Sequence, residues 1–164
     1  MSITYNADEI FEIACRIELN GARFYRKASK FQADLQVAAM LNSLADMEDR
    51  HLALFTEMRA HVQTRDEGDT ALFGQGEAAQ YLQALADGHI FDTTADPSEQ
   101  LGGHESTVDI LKMAIGIEKE SVVLYAGMRR MVPDGEGRDA IDEIIGQELG
   151  HVAVLSNRLK EITG

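Results

Sequence analysis

The sequence is poor in residues that break helices or cross-link chains. Among its 164 residues there are two prolines, one cysteine and no tryptophan. A single cysteine can form neither an internal disulfide nor a Cys-x-x-Cys metal site. The prolines, Pro97 and Pro133, leave long stretches of chain uninterrupted. Long helices are therefore permitted over most of the sequence.

Basic residues and long apolar runs are also scarce. The chain has 15 Lys and Arg against 28 Asp and Glu, a net charge of −13. Such a balance disfavours binding to nucleic acid or anionic membranes and favours attraction of cations. The apolar runs fall short of the ~20 residues that span a bilayer. Residues 1–5 have neither the basic start nor the apolar segment of a secretory signal. We therefore expect no nucleic-acid partner, no membrane partner and a cytoplasmic location.

What the sequence does contain is an internal repeat of three polar residues at an offset of one hundred positions. Each of the three finds an identical residue in the second half, and the full set is Glu18, Glu48, His51, Glu118, Glu148 and His151. The last two residues of each copy form a Glu-x-x-His pair. All six lie in apolar stripes of helical period. The repeat predicts a duplicated helical hairpin, because two copies are too few for a solenoid.

Helical periodicity predicts four long helices. They extend over about 8–31, 34–62, 107–131 and 136–162. Asp34 is a candidate N-cap for the second helix, and Ser106-x-x-Asp109 resembles a capping box before the third. Helices of this length, joined in pairs by short turns, favour antiparallel neighbours.

The stretch of about 63–105 has a different composition. It is rich in glycine and carries one short amphipathic segment over 77–87. We interpret it as a long crossover that carries a short helix. The whole pattern predicts an all-α fold, a ferritin-like antiparallel four-helix bundle. It predicts one domain over 1–164, with helical hairpins at about 8–62 and 107–162.

The four glutamates are predicted to meet at one depth in the bundle. Glu18 lies 13 residues before the predicted end of its helix, and Glu48 lies 14 residues after the start of the next. Glu118 and Glu148 are matched in the same way, and no basic residue shares these faces. Burying such a group without partners would cost many kcal/mol. Two divalent cations would neutralise it, and oxygen ligands with one imidazole per metal suit iron or manganese, with zinc also possible. The alternative is a buried polar network or a decayed site.

These residues resemble the rubrerythrin-like branch of the ferritin-like superfamily, over nearly the whole chain. The matching segments are Ile17-Glu18 with Phe24-Tyr25, Glu48-x-x-His51, Ile117-Glu118-Lys119-Glu120 with Leu124-Tyr125, Glu148-x-x-His151, Tyr81-Leu82-Gln83-Ala84 and Ile90-Phe91. The resemblance implies a carboxylate-bridged centre of two iron ions.

Roles for individual residues follow from the same resemblance. It implies that Glu48 and Glu148 bridge the metals. It also implies that Glu18 with His51 completes one iron site, and that Glu118 with His151 completes the other. Tyr25 and Tyr125 lie two turns beyond Glu18 and Glu118, so they are candidates to orient a carboxylate in the catalytic centre. Their alternative is a role as ordinary core aromatics.

Two features depart from rubrerythrin proper. The sequence has no Cys-x-x-Cys pair of the kind found in a rubredoxin domain, since Cys15 is its one cysteine. Ser121 stands where rubrerythrin proper has an additional glutamate. The expected ligand set is therefore symmetric, closer to bacterioferritin, which argues against a rapid peroxidase cycle.

The leading functional hypothesis is a di-iron oxidoreductase. It would react Fe(II) with hydrogen peroxide or dioxygen, as a ferroxidase or a peroxidase, and would need an external electron donor or fresh Fe(II). One alternative is iron storage or delivery without sustained turnover. Another is a non-catalytic module that the metals only stabilise. Four glycines are predicted on outer helix faces: Gly116, Gly127, Gly146 and Gly150. They would allow the crossover or a second subunit to pack closely, and the alternative is that a stable helix merely tolerates them. From the packing of a second subunit we expect a homodimer.

Overall fold

The structure of the protein is a computed structural model that describes residues 7–63, 95–132 and 137–164. Four long helices account for most of these residues: α1 (Ala7–Lys30), α2 (Leu35–Gln63), α3 (Thr107–Arg129) and α4 (Arg138–Thr163). A 3₁₀ turn, Pro97–Gln100, precedes α3. No strand occurs in these three ranges. The predicted all-α fold of four long helices is confirmed, and each helix begins and ends within two residues of its predicted limits.

The helices pair as two hairpins. α1 packs along α2, and α3 packs along α4. α1 also contacts α3 and the 3₁₀ turn, so it joins the two hairpins. The short helix predicted over 77–87 and residues 133–136, between α3 and α4, lie outside the described residues.

Side chains at two helix starts hold backbone N–H groups that would otherwise have no partner. Asp34 accepts hydrogen bonds from the backbone N–H groups of Gln36 (2.8 Å) and Val37 (3.3 Å), which hold the pKa of its carboxyl below the usual value. Ser106 and Asp109 form a reciprocal capping box at the start of α3. Both caps agree with the sequence prediction and fix where α2 and α3 begin.

The apolar core lies in two clusters at opposite ends of the bundle. One cluster combines the start of α1 and the end of α2 with the end of α3 and the start of α4, and includes Phe11, Phe55 and Ile141. The other combines the opposite ends of the same helices and includes Phe24 and Leu41. The predicted glutamates lie between the two clusters along every helix. The core therefore encloses a polar layer at mid-height.

The outer faces differ in part from the sequence expectation. Gly116, Gly146 and Gly150 are exposed, as predicted. Gly127 is buried, so its placement on the outer side of α3 was wrong. It directly precedes Met128, a core residue, and the inward face of α3 is therefore wider than the periodicity indicated. None of the helices described here combines the length and apolarity needed to cross a bilayer.

Candidate metal centre

The polar layer contains all six residues of the repeat. Glu18 comes from α1, Glu118 from α3, and the two Glu-x-x-His pairs come from α2 and α4. Each Glu and His three positions apart share one helix face, so both side chains of a pair enter the bundle. None of the six is more than 4 % exposed. The structure thus brings together every residue that the sequence placed at the centre.

The six residues form two overlapping groups. One group contains Glu18, Glu48, His51 and Glu148, and the other contains Glu48, Glu118, Glu148 and His151. In each group, one ligand-type atom per residue lies within 4.8 Å of the others. Glu48 and Glu148 belong to both groups. The arrangement therefore provides two adjacent cation positions that share two carboxylates.

The Nδ1 atoms of both histidines face the carboxylates. His51 Nδ1 lies 2.9 Å from Glu148 Oε1 and 3.5 Å from Glu18 Oε2. His151 Nδ1 lies 3.2 Å from both Glu118 Oε2 and Glu148 Oε2, and 3.5 Å from Glu48 Oε1. The two imidazole rings are stacked, with centroids 5.9 Å apart. Glu148 is thus the one carboxylate in close contact with both rings.

Several buried atoms of the cluster have no hydrogen-bond partner among the residues that the structure describes. Five of them point to the ligand positions: Glu18 Oε2, Glu48 Oε1, His51 Nδ1, Glu148 Oε1 and Glu148 Oε2. Buried polar groups are nearly always satisfied, so such a concentration requires an explanation. Each of these atoms is a good ligand for a metal ion. The residues present therefore fit a pair of divalent cations.

Without a cation, the cluster is electrostatically strained. Burial raises the pKa of Glu18 and of Glu118 to about 8. Burial and the neighbouring Glu18 raise the pKa of Glu48 well above its usual value. Burial opposes ionisation of Glu148 too, but the close approach of Glu118 and the two histidines outweighs it and lowers the pKa of this carboxyl. Protons must therefore occupy part of the site unless cations replace them.

Each tyrosine contacts the carboxylate of the opposite hairpin. Tyr25 on α1 donates its hydroxyl hydrogen bond to Glu118 Oε1, and Tyr125 on α3 donates to Glu18 Oε1. Burial raises the pKa of both phenols well above the usual value, so both remain protonated donors. One oxygen of each carboxylate is thereby fixed, and Oε2 is left facing a histidine. This is the orienting geometry expected of residues around metal ligands.

One contact to the cluster was missed by the sequence analysis. Gln147, next to Glu148 in α4, has its Oε1 atom 2.9 Å from His51 Nε2. Its own amide nitrogen donates to Glu143 Oε1 at 3.3 Å. The sequence did contain a signal for this contact. Position 147 corresponds to position 47 in the first copy, where the residue is Met47, so the two copies differ directly beside the ligands Glu48 and Glu148.

Two further residues that the sequence analysis singled out provide no ligand. The hydroxyl of Ser121 donates to the carbonyl oxygen of Ile117 within its own helix, at 3.2 Å. Cys15 is partly buried, and its Sγ atom lies 3.7 Å from Thr56 Oγ1. Cys15 does not belong to the metal-ligand groups found in the described part of the chain.

A four-helix bundle that holds two overlapping Glu/His groups at mid-height belongs to the class of metal-binding carboxylate proteins. Residues 6–161 match the profile of the ferritin-like domain, and the chain is a member of that family.

A solved protein from Thermotoga maritima, described as a candidate ferritin-like diiron-carboxylate protein, superposes with a TM-score of 0.77 and 25 % identity over 98 % of both chains. An uncharacterised protein from Archaeoglobus fulgidus is 39 % identical over 57 residues, which is 35 % of this chain and 89 % of the relative. Fold, family and cluster together support a di-iron protein of the ferritin-like superfamily.

Proposed function

We propose that the protein is a di-iron carboxylate oxidoreductase of the ferroxidase or peroxidase type, which reacts Fe(II) with hydrogen peroxide or dioxygen. The observation that carries this proposal is the pair of overlapping Glu/His groups, in which five buried ligand-type atoms have no hydrogen-bond partner among the described residues. Four carboxylates and two imidazoles match the preference of iron for mixed oxygen and nitrogen ligands. The two iron ions would supply the electrons that reduce the oxidant.

Each residue is assigned to a metal position by its membership in one or both of the two Glu/His groups. Glu48 and Glu148 would be shared by both ions, because both groups contain them. Glu18 with His51 would complete the first position, and Glu118 with His151 the second. Manganese or zinc could occupy the same ligands in the purified protein.

Residues around the site orient its carboxylates and leave room for them. Tyr125 and Tyr25 hold one oxygen of Glu18 and Glu118, so the second oxygen of each stays directed at the interior. On α1, a Cβ at Gly21 would lie 3.1 Å from Glu48 Oε2, so the missing side chain leaves room for that carboxylate. The apolar clusters at either end exclude water, which strengthens electrostatic contacts inside.

The test begins with Fe(II) bound to metal-free protein without oxygen. We expect two ions per chain, oxidised by peroxide or dioxygen faster than Fe(II) in buffer. Glu48→Ala should lose this acceleration, because it removes a carboxylate shared by both groups. Glu57→Ala is the matched control on the same helix, since the Glu57 side chain is 71 % exposed.

The outcomes separate the alternatives. Oxidation no faster than buffer, with two ions bound, would favour the module that metals only stabilise. A single round of oxidation that no external electron donor can renew would favour iron storage or delivery. Fewer than two ions per chain in correctly folded protein would contradict the proposal.

A further inference from the structure

The two histidines differ on the side of the ring that faces away from the carboxylates. His51 Nε2 is 2.9 Å from Gln147 Oε1. His151 Nε2 is buried and has no hydrogen-bond partner among the residues that the structure describes. The inner sides of the two rings are similar, because both Nδ1 atoms face carboxylates. The asymmetry therefore lies outside the ligand set.

The orientation of the Gln147 amide follows from its second contact. Glu143 offers only carboxylate oxygens, so the Gln147 atom that faces it, at 3.3 Å, must be the NH₂ group. The amide oxygen then faces His51, and His51 Nε2 must be the donor. A proton held at Nε2 leaves the lone pair of the neutral ring on Nδ1, directed at Glu18 and Glu148. His51 is thus held in the tautomer and orientation that a metal ligand requires.

The first copy of the repeat has no glutamine at the equivalent position that could orient His151 in this way. Gln147 precedes Glu148 in α4, and the residue that precedes Glu48 in α2 is Met47. A thioether is a weak acceptor, so methionine cannot replace the amide oxygen. The repeat conserves the type of all six ligands and differs at this adjacent position.

We propose that Gln147 is a positioning residue that makes the two metal positions unequal. It holds His51 ready to bind, so the position of Glu18 and His51 fills before that of Glu118 and His151. The inference rests on the proposed function only in requiring that two metals bind. Residues that orient a histidine ligand in this way typically change metal affinity by about 10–100-fold.

The experiment uses Co(II) as an air-stable probe, titrated into the metal-free full chain and followed by calorimetry and visible absorption. We expect two unequal binding steps in the wild type. Gln147→Met, which copies the first repeat, should weaken the tighter step by about 10–100-fold and leave the other within about threefold. Gln147→Glu keeps an acceptor for His51 Nε2 and should restore most of the affinity. Thermal melts of the metal-free variants check that each one folds.

Two backgrounds identify which position responds. Glu118→Ala removes a ligand of the second position only. In that background the first position is intact, so Gln147→Met should show its full effect. Glu18→Ala removes a ligand of the first position only, so the same substitution should have little effect. An equal loss in both backgrounds would show a merely structural role and overturn the inference. Two metals bound with no effect of Gln147→Met would also overturn it and leave the proposed function standing. Failure of the wild type to bind a metal pair would overturn both.

Discussion

The two helical hairpins share an interior and differ on the outside. On the first hairpin, Arg26 forms ion pairs with Asp46 and Asp49. The residues one hundred positions later are Ala126, Gly146 and Leu149. All three of these are exposed, and Leu149 is 53 % exposed. At these three positions, charged and ion-paired residues of the first hairpin are therefore replaced by an apolar face in the second.

This difference separates what the site requires from what the surface tolerates. Each interior residue of the repeat touches another member of the cluster, so a change in one leaves buried charge unpaired. Exposed ion pairs contribute at most about 1 kcal/mol, and their loss is readily tolerated. The apolar face that results on the second hairpin is the kind of surface that a partner can cover. A homodimer through this face stays a prediction.

The largest expected effect comes from removing a shared carboxylate. Glu148 approaches both histidines, whereas Glu118 approaches only His151. We expect Glu148→Ala to reduce iron from about two ions per chain to fewer than one, because both positions lose a ligand. Glu118→Ala should retain about one ion, in the first position. Metal analysis after anaerobic loading and gel filtration measures both. Equal stoichiometry in the two variants would contradict the assignment of Glu148 as a shared ligand.

The pH dependence of the metal-free protein tests whether the two hairpins carry equivalent glutamates. The pKa of Glu18 and of Glu118 rises from 4.5 to about 8 on folding. Between these values the native state holds more protons than the unfolded state, so the free energy of unfolding falls as pH rises. The pKa of His151 is raised by Glu118 and Glu148, against the opposing effect of burial, from 6.5 to about 10, which extends the same trend upward.

We therefore expect the melting temperature of the metal-free protein to fall steadily from about pH 5 to pH 9. Glu18→Gln and Glu118→Gln should each flatten the slope by a similar amount. Saturating divalent metal should reverse the trend, because the ligands bind it in their deprotonated forms. Calorimetric melts across this range provide the measurement. A metal-free protein that gains stability over the same range would show that the cluster is not protonated as described.

The crossed tyrosines offer a smaller, paired test. Tyr25→Phe and Tyr125→Phe each remove one donor from a buried carboxylate of the opposite hairpin. An unsatisfied buried acceptor costs about 1–3 kcal/mol, so each variant should lose about that much stability. Urea unfolding of metal-free protein measures the loss. We expect the two values to agree, since the contacts are equivalent. A loss confined to one variant would show that the hairpins are less alike than their contacts indicate.

The sequence predicted the convergence of the ligands for a clear physical reason. Glu48 and His51 are three positions apart on an apolar face, and the depth match with Glu18 depends only on helix rise and a short turn. The same reasoning applies to the second hairpin. These are local relations along one or two helices, and they survive small errors in helix boundaries.

Relations between the hairpins could not be predicted in this way. That Tyr25 reaches Glu118, not the carboxylate of its own helix, depends on how α1 lies against α3. The contact of Gln147 with His51 also crosses between hairpins. Helical periodicity shows which face a residue occupies but not which helix that face meets. The burial of Gly127 was missed for the same reason.

The smallest expected effects concern glycines, and they test the outer face directly. Within the described residues, a Cβ added at Gly146 or Gly150 would have no heavy atom within 4 Å other than those of its chain neighbours and the local helix backbone. Alanine is favoured over glycine by about 1 kcal/mol in a helix interior, so each Gly→Ala change should stabilise the dilute protein by about that amount. Gly21→Ala is the internal contrast, because its methyl group would crowd Glu48 and lower metal affinity.

Urea unfolding at low protein concentration measures these gains, and light scattering at higher concentration extends the test to the homodimer. If a second copy packs closely on the face of Gly146 and Gly150, the same methyl groups must weaken its association. The variants would then be more stable as monomers and less able to dimerise than the wild type. A mass unchanged by either substitution, at concentrations where the wild type is a dimer, would place the contact elsewhere on the bundle.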